Sequence, residues 1–182
     1  MKKKVVLLGD SIRMIGYGKL VPEMLGEEYE VFQPDDNCRF AKYTLRMLFD
    51  YKDQIADADV IHWNNGLWDC TSIFEDGVFT PEEEYVENML RIARMLKAIT
   101  PNVIFATTTP SRDDYEYTHN DKIDRYNEVI VPKLQEMGIV INDLNAIVRA
   151  DKPNLICDDK LHLSEKGALL CAEQVVKMIK QY

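Results

Sequence analysis

The sequence predicts an α/β protein, a three-layer α/β/α sandwich built on a parallel sheet. Short apolar segments of strand length alternate along the chain with longer segments of helical period. The first apolar segment, Val5-Val6-Leu7-Leu8, shows no polar alternation, as suits a strand covered by helices on both faces. It stops abruptly at Gly9-Asp10-Ser11, at the kind of strand end where open α/β sheets place their chemistry.

The elements follow in order. After the first strand, Met14 to Leu25 is mixed, and Gly16 and Gly18 argue against a regular helix at its start. Tyr29 to Gln33 reads as a second strand, ended by Pro34-Asp35-Asp36-Asn37. Ala41 to Tyr51 carries Tyr43, Met47 and Tyr51 at helical spacing, and Asp59 to Asn64 reads as a third strand. Thr80-Pro81-Glu82-Glu83 is a helix start, with Thr as N-cap, Pro first and Glu three after the cap. Tyr85, Met89, Ile92, Leu96 and Ile99 give that helix one apolar face. Asn102 to Thr107 is the fourth strand. Asn120 can cap the next helix, which Pro132 should kink or break. Ile139 to Asn142 is the fifth strand, and Ser164 can cap a last helix with Ala168, Ala172, Val175 and Ile179 inward.

The 182 residues suggest one domain over 1–182, since no repeat, low-complexity tract or Pro/Gly/Ser linker interrupts them. A hydrophobic fraction of 46% and a charged fraction of 29% are ordinary for a globular protein. The formal net charge of −9 argues against nucleic acid or an anionic membrane as partner. Only four aliphatics follow the basic start before Gly9, too few for a signal peptide's apolar core. No apolar run approaches a membrane span. Cys38, Cys70, Cys157 and Cys171 form no Cys-x-x-Cys pair and no zinc-like spacing with the histidines. Free thiols in a reducing cytoplasm are the expectation, with no metal and no cofactor.

Ser11 needs a base within reach to act as a nucleophile, and the base needs orienting. The chain has three histidines. His62 lies inside a strand, where core contact is expected, and His119 lies in a polar, loop-like stretch. His162 stands just before a helix cap and follows Asp159 by three residues, so a tight turn can present both side chains together.

A strand-terminal Gly9-Asp10-Ser11 near the start, paired with Asp159-x-x-His162 near the end, resembles the SGNH (GDSL-like) hydrolase superfamily. The resemblance implies the flavodoxin-like strand order 2-1-3-4-5. It also implies a Ser11–His162–Asp159 triad, with Asp159 chosen over Asp158 by the family's three-residue offset. Lys160 stands where the family usually has a small residue. The family's oxyanion donors are the nucleophile's N–H, a Gly after the second strand and an Asn in Gly-x-Asn-Asp after the third. Here the second position reads Asp36-Asn37-Cys38-Arg39-Phe40 without Gly, leaving a backbone N–H of Cys38 or Arg39, or the Arg39 guanidinium, as stand-ins. The third reads Asn64-Asn65-Gly66-Leu67-Trp68-Asp69, with Trp68 at the Asn position, so the amide must come from Asn64 or Asn65. Asn64-x-Gly66 looks like the Asn-x-Gly of SGNH-related carbohydrate O-acetyl enzymes, and Asn65-Gly66 also reads as a turn.

Asp10, Tyr17, Trp63 and Trp68 are candidate substrate contacts, with core packing as the alternative for the aromatics. Arg112 could meet an anionic substrate or be a solvated surface residue. The function expected from these residues is a cytoplasmic serine esterase acting on a small-molecule ester. An acetyl group is the expected acyl load, because no lid insertion for a lipid is evident, and an acetylated sugar is one class of substrate. Three alternatives stand beside it: an acyltransferase using the same triad, a flavodoxin-like nucleotide or flavin module, and a relative that binds esters without turnover. Against the flavin or nucleotide module, no glycine-rich phosphate loop is present.

Overall fold

The computed structural model describes residues 2–182, and Met1 lies outside the described residues. Five parallel strands form one sheet: β1 (Lys3–Leu8), β2 (Tyr29–Phe32), β3 (Val60–Asn64), β4 (Val103–Ala106) and β5 (Val140–Asn142). Their order is β2-β1-β3-β4-β5, so the first crossover runs to one side and the later ones to the other. The register pairs Val5 with Val31 on one side and Val60 on the other, and Trp63 with Phe105. Residues 5–8 are buried, as a strand covered on both faces requires.

Among the described residues, eight α-helices accompany the sheet: α1 (Val21–Leu25), α2 (Ala41–Asp50), α3 (Lys52–Ile55), α4 (Glu82–Ile99), α5 (Asn120–Glu136), α6 (Leu144–Arg149), α7 (Lys152–Leu155) and α8 (Glu165–Ile179). One layer packs α4 between α2 and α5; the other gathers α1, α6 and α7 around α8. Between Ser11 and α1 the chain makes a π-helical turn (Ile12–Gly16) and a 3-10 turn (Tyr17–Lys19), as Gly16 and Gly18 suggest. None of the described helices is long and apolar enough to cross a membrane.

Two local expectations are corrected. Thr80 does not cap α4; the N-cap is Pro81, without a side-chain cap bond. Thr80 is buried instead, donating its N–H to Asp69 O and accepting the Tyr126 hydroxyl on its carbonyl. Asn120 is the first residue of α5 rather than its cap, and its amide is spent on Ser111 and Asp113. Pro132 lies inside α5, which continues to Glu136. The carbonyl that Pro132 cannot serve belongs to exposed Glu128, where water can reach it. Ser164 caps α8 as expected, accepting from Gly167 N–H at 3.1 Å.

Candidate active site

The carboxyl ends of the strands bring three distant segments together. Ser11 follows β1 at the N-cap of the Ile12–Gly16 turn, and its Oγ lies 2.9 Å from His162 Nε2. His162 Nδ1 lies 2.7 Å from Asp159 Oδ2. A carboxylate can only accept, so the ring proton sits on Nδ1 and the Nε2 lone pair faces the serine. Asp159 Oδ1 accepts the N–H groups of Leu161 and His162 at 3.0 and 2.9 Å. Burial raises the Asp159 carboxyl, but these hydrogen bonds and the His162 charge outweigh it and hold the group below the ordinary value.

A short hairpin carries this turn. Ile156 bridges Leu163, Cys157 N–H donates to His162 O, and Lys160 N–H donates to Cys157 O. Lys160 adopts φ 70°, which explains why a small residue is usual there. Its carbonyl takes Arg112 N–H at 2.9 Å and its ammonium pairs with Asp114 at 2.7 Å, which hold the strained position.

Arg112 is half-buried and spends its guanidinium on the chain itself. Its Nη2 donates to Ile156 O at 2.6 Å and Pro153 O at 3.2 Å. With its own N–H on Lys160 O, it staples the Asp159–His162 hairpin to the end of β4. Arg13, which sequence reasoning missed, does the equivalent at β1. It is 1% exposed and donates to Gly9 O, Pro34 O and Asp36 O at 2.8–3.1 Å. A lone Arg after Gly-Asp-Ser-Ile carries no periodic signal that would reveal this.

The oxyanion candidates fare differently. Cys38 N–H is spent on Gly9 O at 3.1 Å, and Arg39 N–H on Asn37 Oδ1 at 2.7 Å. Neither backbone amide is therefore available as a donor. The Arg39 guanidinium stacks over Tyr43 and lies 3.7 Å from Asp36. Asn65 is fully buried; its Nδ2 serves Arg39 O, and its Oδ1 accepts from Thr44 and Trp63. Its side chain ties together β3, α2 and the segment before α2. Asn64 Nδ2 reaches Asp10 Oδ1 at 2.9 Å, and its Oδ1 accepts the Tyr17 hydroxyl at 2.8 Å. The Asn64 carboxamide lies so close to Gly9 that a Cβ there would stand 1.9 Å from its oxygen.

Gly66, at φ 135°, is equally constrained, since a Cβ would stand 2.3 Å from Thr108 Oγ1. Asp69 is buried and accepts Ala41 N–H at the start of α2; burial pushes its carboxyl up to about 7.

A cavity of about 170 Å³ opens beside Ser11 and His162, lined further by Leu67, Trp68, Thr71, Ile73, Phe79, Tyr115 and Leu161. Of the proposed substrate contacts, Trp68 lines it. Asp10, Tyr17 and Trp63 do not, being buried at 1%, 0% and 0% exposure. Asp10 accepts Ile12 N–H and Asn64 Nδ2. Trp63 packs edge-on to Phe105, and Tyr17 edge-on to His62. Their apolar bulk was better used beneath the site than around it. His62 is buried beside Asn142, its charge suppressed by burial to a pKa of about 3, and His119 is exposed. Larger cavities lie elsewhere, including one of about 520 Å³ between the Ile12–Gly16 turn and α8, but none of them holds Ser11.

No protein-family model matches the chain. Over 120 residues, 58% of its length, it is 31% identical to the GDSL esterase/lipase WDL1 of rice, Oryza sativa subsp. japonica, covering 46% of that protein. The chain spans about half the length of the curated relatives it matches. The lipase/acylhydrolase from Enterococcus faecalis superposes with a TM-score of 0.80 at 21% identity, over 98% of this chain and 96% of that one. The acetyl xylan esterase AlAXEase superposes with a TM-score of 0.78 at 19% identity, over 97% and 99%.

The chain has the SGNH (GDSL-like) hydrolase fold. The third block departs from the Gly-x-Asn-Asp pattern that the resemblance implied. Trp68 takes the Asn position and lines the cavity, while Asp69 turns inward to α2. The second block lacks its Gly, and Arg39 sits there at φ 49° with its N–H already used.

Proposed function

We propose that this chain is a serine esterase, a single catalytic domain over 1–182, that hydrolyses small acyl esters through Ser11, His162 and Asp159. One observation carries the reading: Ser11 Oγ, His162 and Asp159 stand in continuous hydrogen-bond contact at 2.9 and 2.7 Å, beside a cavity. Ser11 Oγ attacks the ester carbonyl carbon as its proton passes to His162 Nε2. The tetrahedral oxyanion then collapses, and His162 gives that proton to the departing alcohol, leaving acyl-Ser11. Water attacks next, its proton taken by His162, and the acid leaves as Ser11 recovers the proton. Asp159 fixes the imidazole tautomer and stabilises the imidazolium.

For the oxyanion we assign two donors. Ser11 N–H stands at a helical N-cap and so has no intrahelical acceptor. Asn64 Nδ2 carries two protons and gives one to Asp10. The cavity of about 170 Å³ is smaller than the roughly 300–1,000 Å³ of sites for drug-sized ligands, which favours a short acyl group such as acetyl. The similarity to an acetyl xylan esterase supports an acetylated carbohydrate as substrate. No metal or cofactor enters these steps, and a cytoplasmic setting remains part of the proposal.

The test is a p-nitrophenyl ester series with the wild type and Ser11→Ala. Turnover of acetate that falls with chain length, and vanishes in the variant, supports the proposal. Turnover by Ser11→Ala refutes it.

A further inference from the structure

The exposed apolar surface of the protein is unevenly distributed. Among the described residues, four of the eight exposed large hydrophobics, Ile73, Phe74, Phe79 and Tyr117, lie on two segments flanking the Ser11 cavity. These segments are built to hold that surface. The first, 71–80, closes on itself through Phe79 N–H to Thr71 O at 2.9 Å and a Phe74–Gly77 bridge. It joins the second, 115–118, through Ser72 N–H to Tyr117 O at 2.8 Å and a 2.6 Å bond between the Thr71 and Thr118 hydroxyls. The Tyr115 and Tyr117 rings pack 5.7 Å apart. Ile73, Phe79 and Tyr115 line the same cavity as Ser11 and His162. Exposed apolar side chains gathered beside a cavity are the usual signature of a binding surface.

We propose that this aromatic rim is the subsite for the alcohol half of the ester, and that this half is an uncharged sugar ring. The inference rests on the esterase reading. The cavity is large enough only for a short acyl group, so the rest of the substrate must leave across the rim with which it is continuous. Tyrosine faces and phenol oxygens suit a pyranose, which presents C–H faces and hydroxyls together. Charge decides against an acidic sugar. Among the described residues, no Lys or Arg lines the cavity. The segments 71–80 and 115–118 carry no Lys or Arg, and the basic side chains next to them are paired: Arg112 with Asp158, Lys152 with Asp113 and Lys160 with Asp114. A uronate would find no partner there, and it would approach a protein of net charge −9.

Titration calorimetry on Ser11→Ala, which cannot turn the ester over, tests this with acetylated xylobiose, acetylated digalacturonate and hexyl acetate. The neutral disaccharide should bind best, and adding Phe79→Ala or Tyr117→Ser should weaken it about tenfold. Phe79→Tyr, which keeps an aromatic face, should retain binding. Circular dichroism confirms that each variant is folded. Equal binding of the acidic disaccharide, preference for the alkyl ester, or rim variants with unchanged affinity would overturn the proposal. Covalent labelling of wild-type Ser11 by a phosphonate is measured alongside. Labelling with unchanged rim variants condemns the subsite alone, whereas absent labelling condemns the esterase reading.

Discussion

His162 occupies both carboxylate oxygens of Asp159, its ring Nδ1–H on Oδ2 at 2.7 Å and its backbone N–H on Oδ1 at 2.9 Å. The second bond fixes the turn and the first fixes the tautomer. Asp159→Asn would offer an amide N–H where an acceptor is needed, so kcat should fall on the order of 10³–10⁴-fold. Because its folded value lies below the ordinary one, Asp159 contributes stability above its unfolded pKa that is lost as pH falls through the folded value. An acid titration comparing melting of the wild type with Asp159→Asn should show the wild-type advantage vanish below the ordinary carboxylate range.

Ser11→Ala and His162→Ala should be almost equally inactive, each losing on the order of 10⁴–10⁶ in kcat, because the two act as one unit. The double variant should be no worse than either single variant. Additive losses in esterase assays would mean that the residues act independently.

The two asparagines should separate by mechanism. Asn65→Ala leaves the Trp63 N–H and Arg39 O without their buried partner, whereas the Thr44 hydroxyl keeps Cys38 O. At about 1–3 kcal/mol for each unsatisfied group, it should cost several kcal/mol in denaturant unfolding. Asn64→Ala strands Tyr17 and Asp10, so it too should lower the melting temperature. It should also reduce kcat by on the order of 10²–10³ if it donates to the oxyanion. Retained kcat in folded Asn64→Ala would assign the oxyanion to Ser11 N–H and the Arg39 side chain.

What was legible in the sequence follows from where the information lies. The inner strands could be read because burial on both faces leaves apolar runs such as Val5–Leu8 and Val60–Ile61, and the half-buried edge strands β2 and β5 because β-branched and aromatic residues such as Val31, Phe32, Val140 and Ile141 stand between turn signals. The Asp159–His162 turn could be read because its partners are three residues apart. The staples could not: Arg13 and Arg112 bind backbone carbonyls, which every residue carries, at sites distant in sequence. The aromatics divided for a similar reason. Trp63 points along a buried strand and Trp68 follows the Gly66 turn, a difference of backbone geometry rather than residue type.

Arg112→Met should therefore damage catalysis without touching substrate. Loosening the hairpin lets the Ser11–His162 contact drift, and a misplacement of about 1 Å can cost about 10²-fold in kcat with KM little changed. Added guanidinium at millimolar concentration should partly restore Arg112→Gly, a rescue that a general loss of stability would not permit. An unchanged kcat would make Arg112 dispensable to the site.

Two buried groups should tilt stability in opposite directions with pH. His62 is held neutral down to about 3 against an ordinary 6.5, so the unfolded chain binds its proton first and stability falls as pH drops below about 6.5. Asp69 holds its proton up to about 7, whereas the unfolded carboxyl loses it near 3.8, so its contribution declines as pH rises between those values. Asp69→Asn should therefore gain on the wild type, in melting temperature, as pH rises towards 7. A difference independent of pH would show that Asp69 is ionised throughout.

The most direct test of the account is the reaction of a serine-directed alkyl phosphonate with the intact protein, read by mass spectrometry. The account predicts one adduct per chain, on Ser11, formed at a rate that collapses in His162→Ala and absent from Ser11→Ala. An adduct on another residue, or labelling of Ser11 that is indifferent to His162, would contradict it.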